Sequence, residues 1–195
     1  MLNDLSSTLS LLETRRSGKP REMVAPGPTT EQLDRILTMA ARVPDHGKLF
    51  PWRFVVVDRM QRQSLADLLA RALPAHDPDA NSAHYSKTLE FAYQAPNLVV
   101  LISSPVAGHK IPLWEQELSA GAIAMNFLLA THAMGFVGGW ITGWMTYSDL
   151  VRDAFCGPNE RIAGFMFLGS PGRSLEERPR PNMAQIVRRW NGTTG

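Results

Sequence analysis

The sequence contains a single cysteine, Cys156, which excludes an internal disulfide and indicates a reducing, cytoplasmic location. Its five histidines form no HxxxH pair, so we expect no metal site. Serine nucleophile elbows of the form GxSxG are missing as well. The N-terminus has no basic residues ahead of an apolar core, which argues against a secretory signal. These absences disfavour disulfide-stapled, zinc-stabilised and serine-hydrolase classes of protein.

Charge is evenly spread rather than concentrated. The net charge is only +2, and no long basic block marks a nucleic-acid surface. A weaker alternative is a module that binds nucleic acid or an acidic partner. Its candidate residues are Arg15, Arg16, Arg178, Arg180, Arg188 and Arg189. Because no nucleic-acid-binding motif accompanies these arginines, we expect no nucleic-acid partner.

The length of 195 residues and the hydrophobic fraction of 44% fit one domain, residues 1–195, with one core. No repeat or low-complexity segment interrupts the chain. Apolar runs predict four core strands, which are Phe54 to Val57, Leu98 to Ile102, Phe136 to Thr142 and Ile162 to Leu168. Helical spacing predicts a helix over residues 1–14, and a Thr29/Gln32 capping box predicts the start of a second helix. Four further helices are predicted over Gln61 to Leu73, His84 to Tyr93, Leu118 to Met134 and Ser148 to Phe155.

The stretch from Leu118 to Ser148 has no charged residue and is long enough for a membrane span. Three polar residues in its middle, Asn126, Thr131 and His132, argue against a span, as do the glycines of its second half. We therefore expect no membrane partner. A helix that is apolar nearly all round is instead buried on most sides, which in a domain this small indicates a partner chain.

Four glycines follow that helix, namely Gly135, Gly138, Gly139 and Gly143. A dinucleotide fingerprint requires a strand, then glycines, then a helix, whereas here the glycines follow a helix and lead into a strand. Two interpretations stay open. The glycines either allow a flat ligand close to the backbone or serve only as a helix stop and tight packing.

Two basic segments also have two interpretations each. Arg15 and Arg16 follow the first helix, where they either cap its negative pole or bind an anion with their guanidinium forks. His46 lies in a loop between two prolines, where it is either bonded to a backbone carbonyl or part of a site next to a strand end.

The order and spacing of these segments resemble the nitroreductase family of FMN-dependent oxidoreductases, especially its small single-domain bacterial branch. Arg15-Arg16-Ser17-Gly18-Lys19 is similar to the basic motif that opens the family's domain. By this resemblance Arg15 binds the FMN phosphate, Ser17 the ring or ribityl group, and Lys19 the N1/O2 side of the ring.

Three further segments carry the resemblance, which covers roughly Leu9 to Trp190. Residues 42–46 with Pro51-Trp52 resemble a motif that reaches the flavin of the other subunit. Trp114 to Gly121, at the start of the long helix, is similar to the small branch, and residues 138–143 resemble its third flavin segment. The resemblance implies cofactor contacts from Arg15, Arg16, Ser17, Lys19, Arg42, His46, Trp140, Ile141, Thr142, Gly143 and Arg180.

The chain departs from the family at identifiable positions. Lys48 and Phe50 stand where much of the family has Asn and Gln, and Ile141 stands where the small branch can carry an Arg. A missing phosphate partner is then supplied by Arg178 or Arg180.

The resemblance implies an α+β fold with a mainly antiparallel sheet of four to five strands flanked by helices. It also implies an intertwined homodimer with FMN at the subunit interface. The expected activity is ping-pong hydride transfer from NAD(P)H through flavin N5 to a small electron-poor acceptor, nitroaromatic or quinone-like. FMN carries the chemistry, so no catalytic side chain is expected. The alternative is a flavin-binding or sensing protein without significant turnover.

Overall fold

The computed structural model describes residues 1–192. Its strands are β1 (Met23–Val24), β2 (Trp52–Val56), β3 (Asn97–Ser103), β4 (Val137–Ile141) and β5 (Arg161–Pro171). Its helices are α1 (Thr8–Thr14), α2 (Thr30–Ala40), α3 (Arg62–His76), α4 (Ser82–Tyr93), α5 (Leu113–Ala133), α6 (Trp144–Tyr147), α7 (Asp149–Phe155) and α8 (Met183–Ile186). Two 3-10 turns, Pro20–Glu22 and Arg59–Gln61, complete the chain order.

The strands form one antiparallel sheet in which β5 is the central member. β5 pairs with β3 and β4 along most of its length and with β1 at its C-terminal end, and β2 extends the sheet beyond β3. The prediction of an antiparallel sheet with four to five strands is therefore confirmed. The two-residue strand β1 was missed, because a run this short carries no periodic signal.

Both faces of the sheet are covered, which explains the continuous apolar runs of β3 and β5. On one face, Val99 and Leu101 pack into a cluster built largely from α2 and α5. On the other face, Val100 belongs to a cluster with residues of α3 and α4. Phe91 of α4 packs edge-on against two rings of β5, with centroid distances of 5.2 Å to Phe165 and 5.2 Å to Phe167.

The helix ends follow local hydrogen bonding. The predicted capping box is present at α2. Thr29 Oγ1 accepts from the Gln32 backbone N–H, and Gln32 Oε1 accepts from the Thr29 backbone N–H. The prediction of a helix from residue 1 was wrong, since α1 begins only at Thr8. Ser7 caps it with a hydroxyl that accepts from Ser10 N at 3.0 Å.

The long helix α5 starts five residues before the predicted Leu118 and ends at Ala133. Most of its surface is buried against the sheet and α2, but one apolar stripe is not. Trp114, Leu118 and Met125 on this stripe are exposed by 67%, 53% and 38%. Within residues 1–192, no helix is both long enough and apolar enough to cross a bilayer.

Arg62, at the start of α3, is a buried charge that the sequence did not single out. It is 2% exposed and donates to three carbonyl oxygens, Val57 at 3.0 Å, Ala92 at 2.7 Å and Pro96 at 3.3 Å. Burial lowers its pKa to about 10. The side chain therefore joins β2, α4 and the start of β3 through backbone acceptors that would otherwise have no donor.

We expect Arg62→Leu to lower the free energy of unfolding by about 3 kcal/mol, because it leaves buried carbonyl groups unpaired. Urea denaturation followed by circular dichroism measures this change. Exposed Arg59 in the adjacent 3-10 turn is the matched control, and Arg59→Leu should change the value by less than about 0.5 kcal/mol. Equal losses in the two variants would contradict the role assigned to Arg62.

Candidate functional site

A cluster of four arginines forms where the C-terminal tail meets the segment after α1. Arg15 is half-buried, and its Nη1 donates to Ser17 Oγ at 3.2 Å. Arg180 Nη2 donates to the Arg15 carbonyl at 3.3 Å, which brings the tail onto the segment. Burial lowers the pKa of Arg15, and the positive charges of Arg180, Arg178 and Arg16 lower it further. The four guanidinium groups therefore repel one another in the protein alone.

Neighbouring backbone contacts hold this segment in place. The Asn3 side-chain amide donates to the Arg16 carbonyl at 3.0 Å, and its oxygen accepts from the Arg16 N–H at 2.7 Å. Arg16 Nε donates to the carbonyl of Glu176 at 2.7 Å, so the tail is fixed at a second point. The guanidinium of Arg15 turns to Ser17 rather than back over α1, so its contacts do not support the helix-capping interpretation.

Nearby carboxylates neutralise only part of the cluster. Glu177 pairs with Arg180 at 2.8 Å, and Lys19 lies 3.4 Å from Glu22 and 3.6 Å from Glu176. In residues 1–192, no carboxylate forms an ion pair with Arg15. The half-buried Arg15 thus presents a charge that an anion from solution can compensate.

The basic segment packs directly on the glycine-rich strand β4. Gly18 N donates to the Gly138 carbonyl at 3.1 Å. A Cβ atom at Gly18 would lie 2.3 Å from Val137 Cγ1, and one at Gly139 would lie 2.9 Å from the Gly18 carbonyl oxygen. Gly135, with φ of +84°, ends α5. Tight packing and a helix stop therefore account for these glycines.

The segment after Gly139 has different surroundings. Trp140 Nε1 donates to the Ala163 carbonyl at 3.0 Å, and the side chain of Ile141 packs against the core cluster on the α3 and α4 face. Any contact of Ile141 with a ligand would consequently come from its backbone. Thr142 is exposed, and Thr146 Oγ1 donates to the Gly143 carbonyl at 2.7 Å.

Two further predicted site residues, Arg42 and His46, contact α5 at different points. His46 Nδ1 is 2.7 Å from Glu115 Oε2, so this ring pairs with a carboxylate rather than with a backbone carbonyl. Asn126 Nδ2 donates to the Arg42 carbonyl at 3.3 Å. Both Arg42 and His46 are exposed.

The loop that carries these residues is held in an uncommon backbone conformation. Lys48 and Phe50 have positive φ angles of 56° and 50°. The Phe50 N–H donates to Asp45 Oδ2 at 2.9 Å, which closes the loop. Phe50 is exposed by 67%, although its ring packs edge-on against Trp52 with a centroid distance of 6.4 Å.

His46 is far from the arginine cluster within one chain. It contacts Glu115 at the start of α5, whereas Arg15 lies within electrostatic range of His132 at the end of the helix. These two helix positions are about five turns apart, roughly 25 Å. The fold therefore brings Arg15, Arg16, Ser17, Lys19 and Arg180 together and does not bring His46 to them, whereas Arg42 contacts Asn126, roughly 9 Å along the helix from His132.

Sequence reasoning missed the environment of His132. The residue is 1% exposed, and neither ring nitrogen has a hydrogen-bond partner among the described residues. Burial lowers the pKa of His132 to about 4, the positive charge of Arg15 adds to this, and the backbone of Gly138 opposes it. The side chain lines a cavity of about 450 Å³ beneath residues 1–3 of the N-terminal segment. A single histidine within an apolar helix carries no sequence signal that its ring is buried in this way.

Stability should depend on pH through His132. Its folded pKa of about 4 lies below the ordinary value of 6.5, so the unfolded chain binds the proton more readily between these values. The free energy of unfolding should fall as pH is lowered through this window, by up to roughly 3 kcal/mol. Urea denaturation at several pH values should show a flatter profile for His132→Phe.

Exposed His109 provides the control for this measurement. His109→Asn should keep the parent's dependence on pH between 4 and 6.5. If His132→Phe kept the parent's slope as well, other groups would be responsible for the acid sensitivity.

Fold and site together define an antiparallel α+β protein with an arginine cluster suited to an anion. The sequence pattern of the nitroreductase family matches residues 12–170. The chain is 37% identical over 164 residues to the Escherichia coli (strain K12) protein named "Putative NAD(P)H nitroreductase YdjA", covering 84% of this chain and 87% of that protein. The chain belongs to the nitroreductase family.

Solved structures share the fold. A nitroreductase-like family protein from Bacillus cereus superimposes with a TM-score of 0.80 at 19% identity, covering 96% of this chain and 97% of the other. A nitroreductase with bound FMN from Bacteroides fragilis gives a TM-score of 0.69 at 19% identity, covering 94% and 98%. The predicted nitroreductase-like α+β fold is thereby confirmed.

Proposed function

We propose that this protein is an FMN-dependent oxidoreductase that uses NAD(P)H, and that it works as a homodimer. The observation that carries this proposal is the arginine cluster around half-buried Arg15, on a chain that belongs to the nitroreductase family. The relative from Escherichia coli is named for NAD(P)H, and the structure from Bacteroides fragilis contains FMN.

The residues present fit the phosphate of FMN. A phosphate monoester carries close to two negative charges, and guanidinium groups bind it with paired hydrogen bonds. Arg15 has no carboxylate partner within the described residues, and Arg16, Arg178 and Arg180 add to the local positive potential. Arg15 and Arg180 would hold the phosphate, and Ser17 Oγ, next to Arg15 Nη1, would accept or donate at the ribityl chain.

The remaining residues would orient the ring. Lys19 is partly exposed, and its ammonium group would stabilise negative charge at the N1/O2 edge. Thr142 and Gly143 would offer backbone N–H groups at the opposite edge. FMN, when bound, supplies a hydride carrier. The protein binds the cofactor, orients it and leaves one face open to substrates, and no side chain needs to act as acid or base.

Two copies of the chain are needed to complete this site. His46 contacts Glu115, which lies roughly 25 Å along α5 from His132 beside the arginine cluster. The exposed stripe of Trp114, Leu118 and Met125 provides an apolar surface for a second α5. Gly121 on the same side has nothing within 4 Å of a built Cβ, so a partner helix can approach closely. Light scattering should give twice the chain mass of 21.6 kDa.

The electron acceptor is proposed to be a small nitroaromatic or quinone-like molecule that follows NAD(P)H into one pocket. Purified protein should be yellow, and anaerobic addition of NADPH or NADH should bleach its visible absorbance. Menadione and a nitrobenzene derivative should then restore the colour and support repeated turnover. Bleaching without turnover would favour a flavin-binding or sensing role, and protein that cannot be reconstituted with FMN would exclude both.

Arg15→Ala should weaken FMN binding by about 100-fold, because it removes a charge-assisted bond to the phosphate. Ultrafiltration after FMN reconstitution measures the retained flavin, and thermal melting of the apo protein should change little. Arg35→Ala, on an exposed position of α2, is the matched control and should retain flavin like the parent. Equal flavin retention in both variants would remove Arg15 from the site.

A further inference from the structure

An open cleft lies between α3, α4, α6 and the 3-10 turn Pro20–Glu22. Its volume is about 770 Å³. This value falls within the range of roughly 300–1,000 Å³ that is typical of small-molecule and cofactor pockets. No local sequence pattern marks this cleft, because its lining comes from four separate segments.

One wall of the cleft is a continuous stripe of α4. Its lining residues His84, Lys87, Thr88 and Phe91 have the spacing that places side chains on one helix face. The N-terminal part of this stripe is polar and basic, whereas Phe91 at the other end is buried. The cleft thus has a basic end and an apolar end.

Two cations in the cleft are uncommitted. Arg21 and Lys87 both line it, and neither side chain makes an ion pair or hydrogen bond to another of the residues 1–192. Of the two carboxylates that line the cleft, Asp77 lies 3.1 Å from His84, and Glu90 is exposed to solvent and pairs with neither cation. The unpaired cations can therefore bind an anionic group without first breaking a contact.

An aromatic surface accompanies these cations. The indole of Trp144 lines the cleft and stacks on the His76 ring, with centroids 5.1 Å apart and planes at 10°. Stacked aromatic groups beside uncommitted cations suit a ligand that combines a flat ring with phosphate.

The cleft adjoins the proposed flavin site on both sides. Arg21 follows Lys19 by two residues, and Trp144 directly follows Gly143. The two segments proposed to hold the flavin therefore both continue into the cleft. If the nicotinamide ring of a dinucleotide lies on the flavin, the adenosine half of the same molecule can bind in this cleft.

We propose that the cleft binds the adenosine end of NADPH and that Arg21 and Lys87 bind its 2′-phosphate, which selects NADPH over NADH. This inference rests on the proposed function, since it assigns a binding site to the adenosine half of the nicotinamide reductant. The 2′-phosphate is the only chemical difference between the two reductants, so uncommitted cations at this position produce the discrimination.

The test compares adenosine 2′,5′-bisphosphate with adenosine 5′-monophosphate by calorimetry on FMN-loaded protein. These probes differ only by the 2′-phosphate. The bisphosphate should bind at least about tenfold more tightly, as expected for charge-assisted contacts. Arg21→Ala and Lys87→Ala should each remove most of this difference, and the ratio of KM for NADPH to KM for NADH should rise in both. Glu90→Gln should strengthen bisphosphate binding.

Arg35→Ala is the matched control and should keep the parent's preference. Equal affinity for the two probes, or an unchanged preference in the Arg21 and Lys87 variants, would overturn the assignment of the cleft. Flavin content and anaerobic bleaching are measured on the same preparations. A parent protein that holds no flavin, or whose flavin is not bleached by NADPH or NADH, would instead reject the proposed function. The two outcomes are distinguishable because calorimetry with the two probes does not depend on turnover.

Discussion

The pairing of β5 with three other strands is the interaction on which the site depends. β4 lies against β5 in a register that pairs Gly138 with Leu168, and β1 pairs with the C-terminal end of β5, with Met23 opposite Pro171. β4 carries residues 137–141, and β1 anchors the basic segment that precedes it. The chain after β5 then returns to Arg15. One strand thus fixes the relative positions of three segments that are distant in sequence.

Much of this architecture was predictable, because a strand that is buried on both faces of a sheet is a continuous apolar run. Such a run can be recognised in the sequence without knowing which strands pair with it. β3 and β5 are the clearest cases, and the capping box of α2 is a local signal of the same kind. The N-terminal helix was predicted too long because its leucine spacing is helical. Asn3 and Ser7 instead accept backbone hydrogen bonds with their side chains, and the helix begins only at Thr8.

The site was less predictable, because its contacts join residues far apart in the sequence. The basic segment was found from residue type, but the return of Arg180 to Arg15 spans 165 positions and has no local pattern. The cleft of Arg21 and Lys87 and the burial of the His132 ring are likewise products of tertiary packing. The resemblance assigned roles to Arg42 and His46, and the fold places His46 at the opposite end of α5 from the arginine cluster.

The mutual repulsion of the arginine cluster links folding to the anions in solution. Three like charges around the half-buried Arg15 guanidinium raise the free energy of the native state until a counter-ion binds. A multivalent anion that binds only the folded chain stabilises it by mass action, whereas a simple monovalent salt acts only by screening. The stability of this fold is therefore coupled to the binding of phosphate-bearing molecules at the arginine cluster, independently of electron transfer.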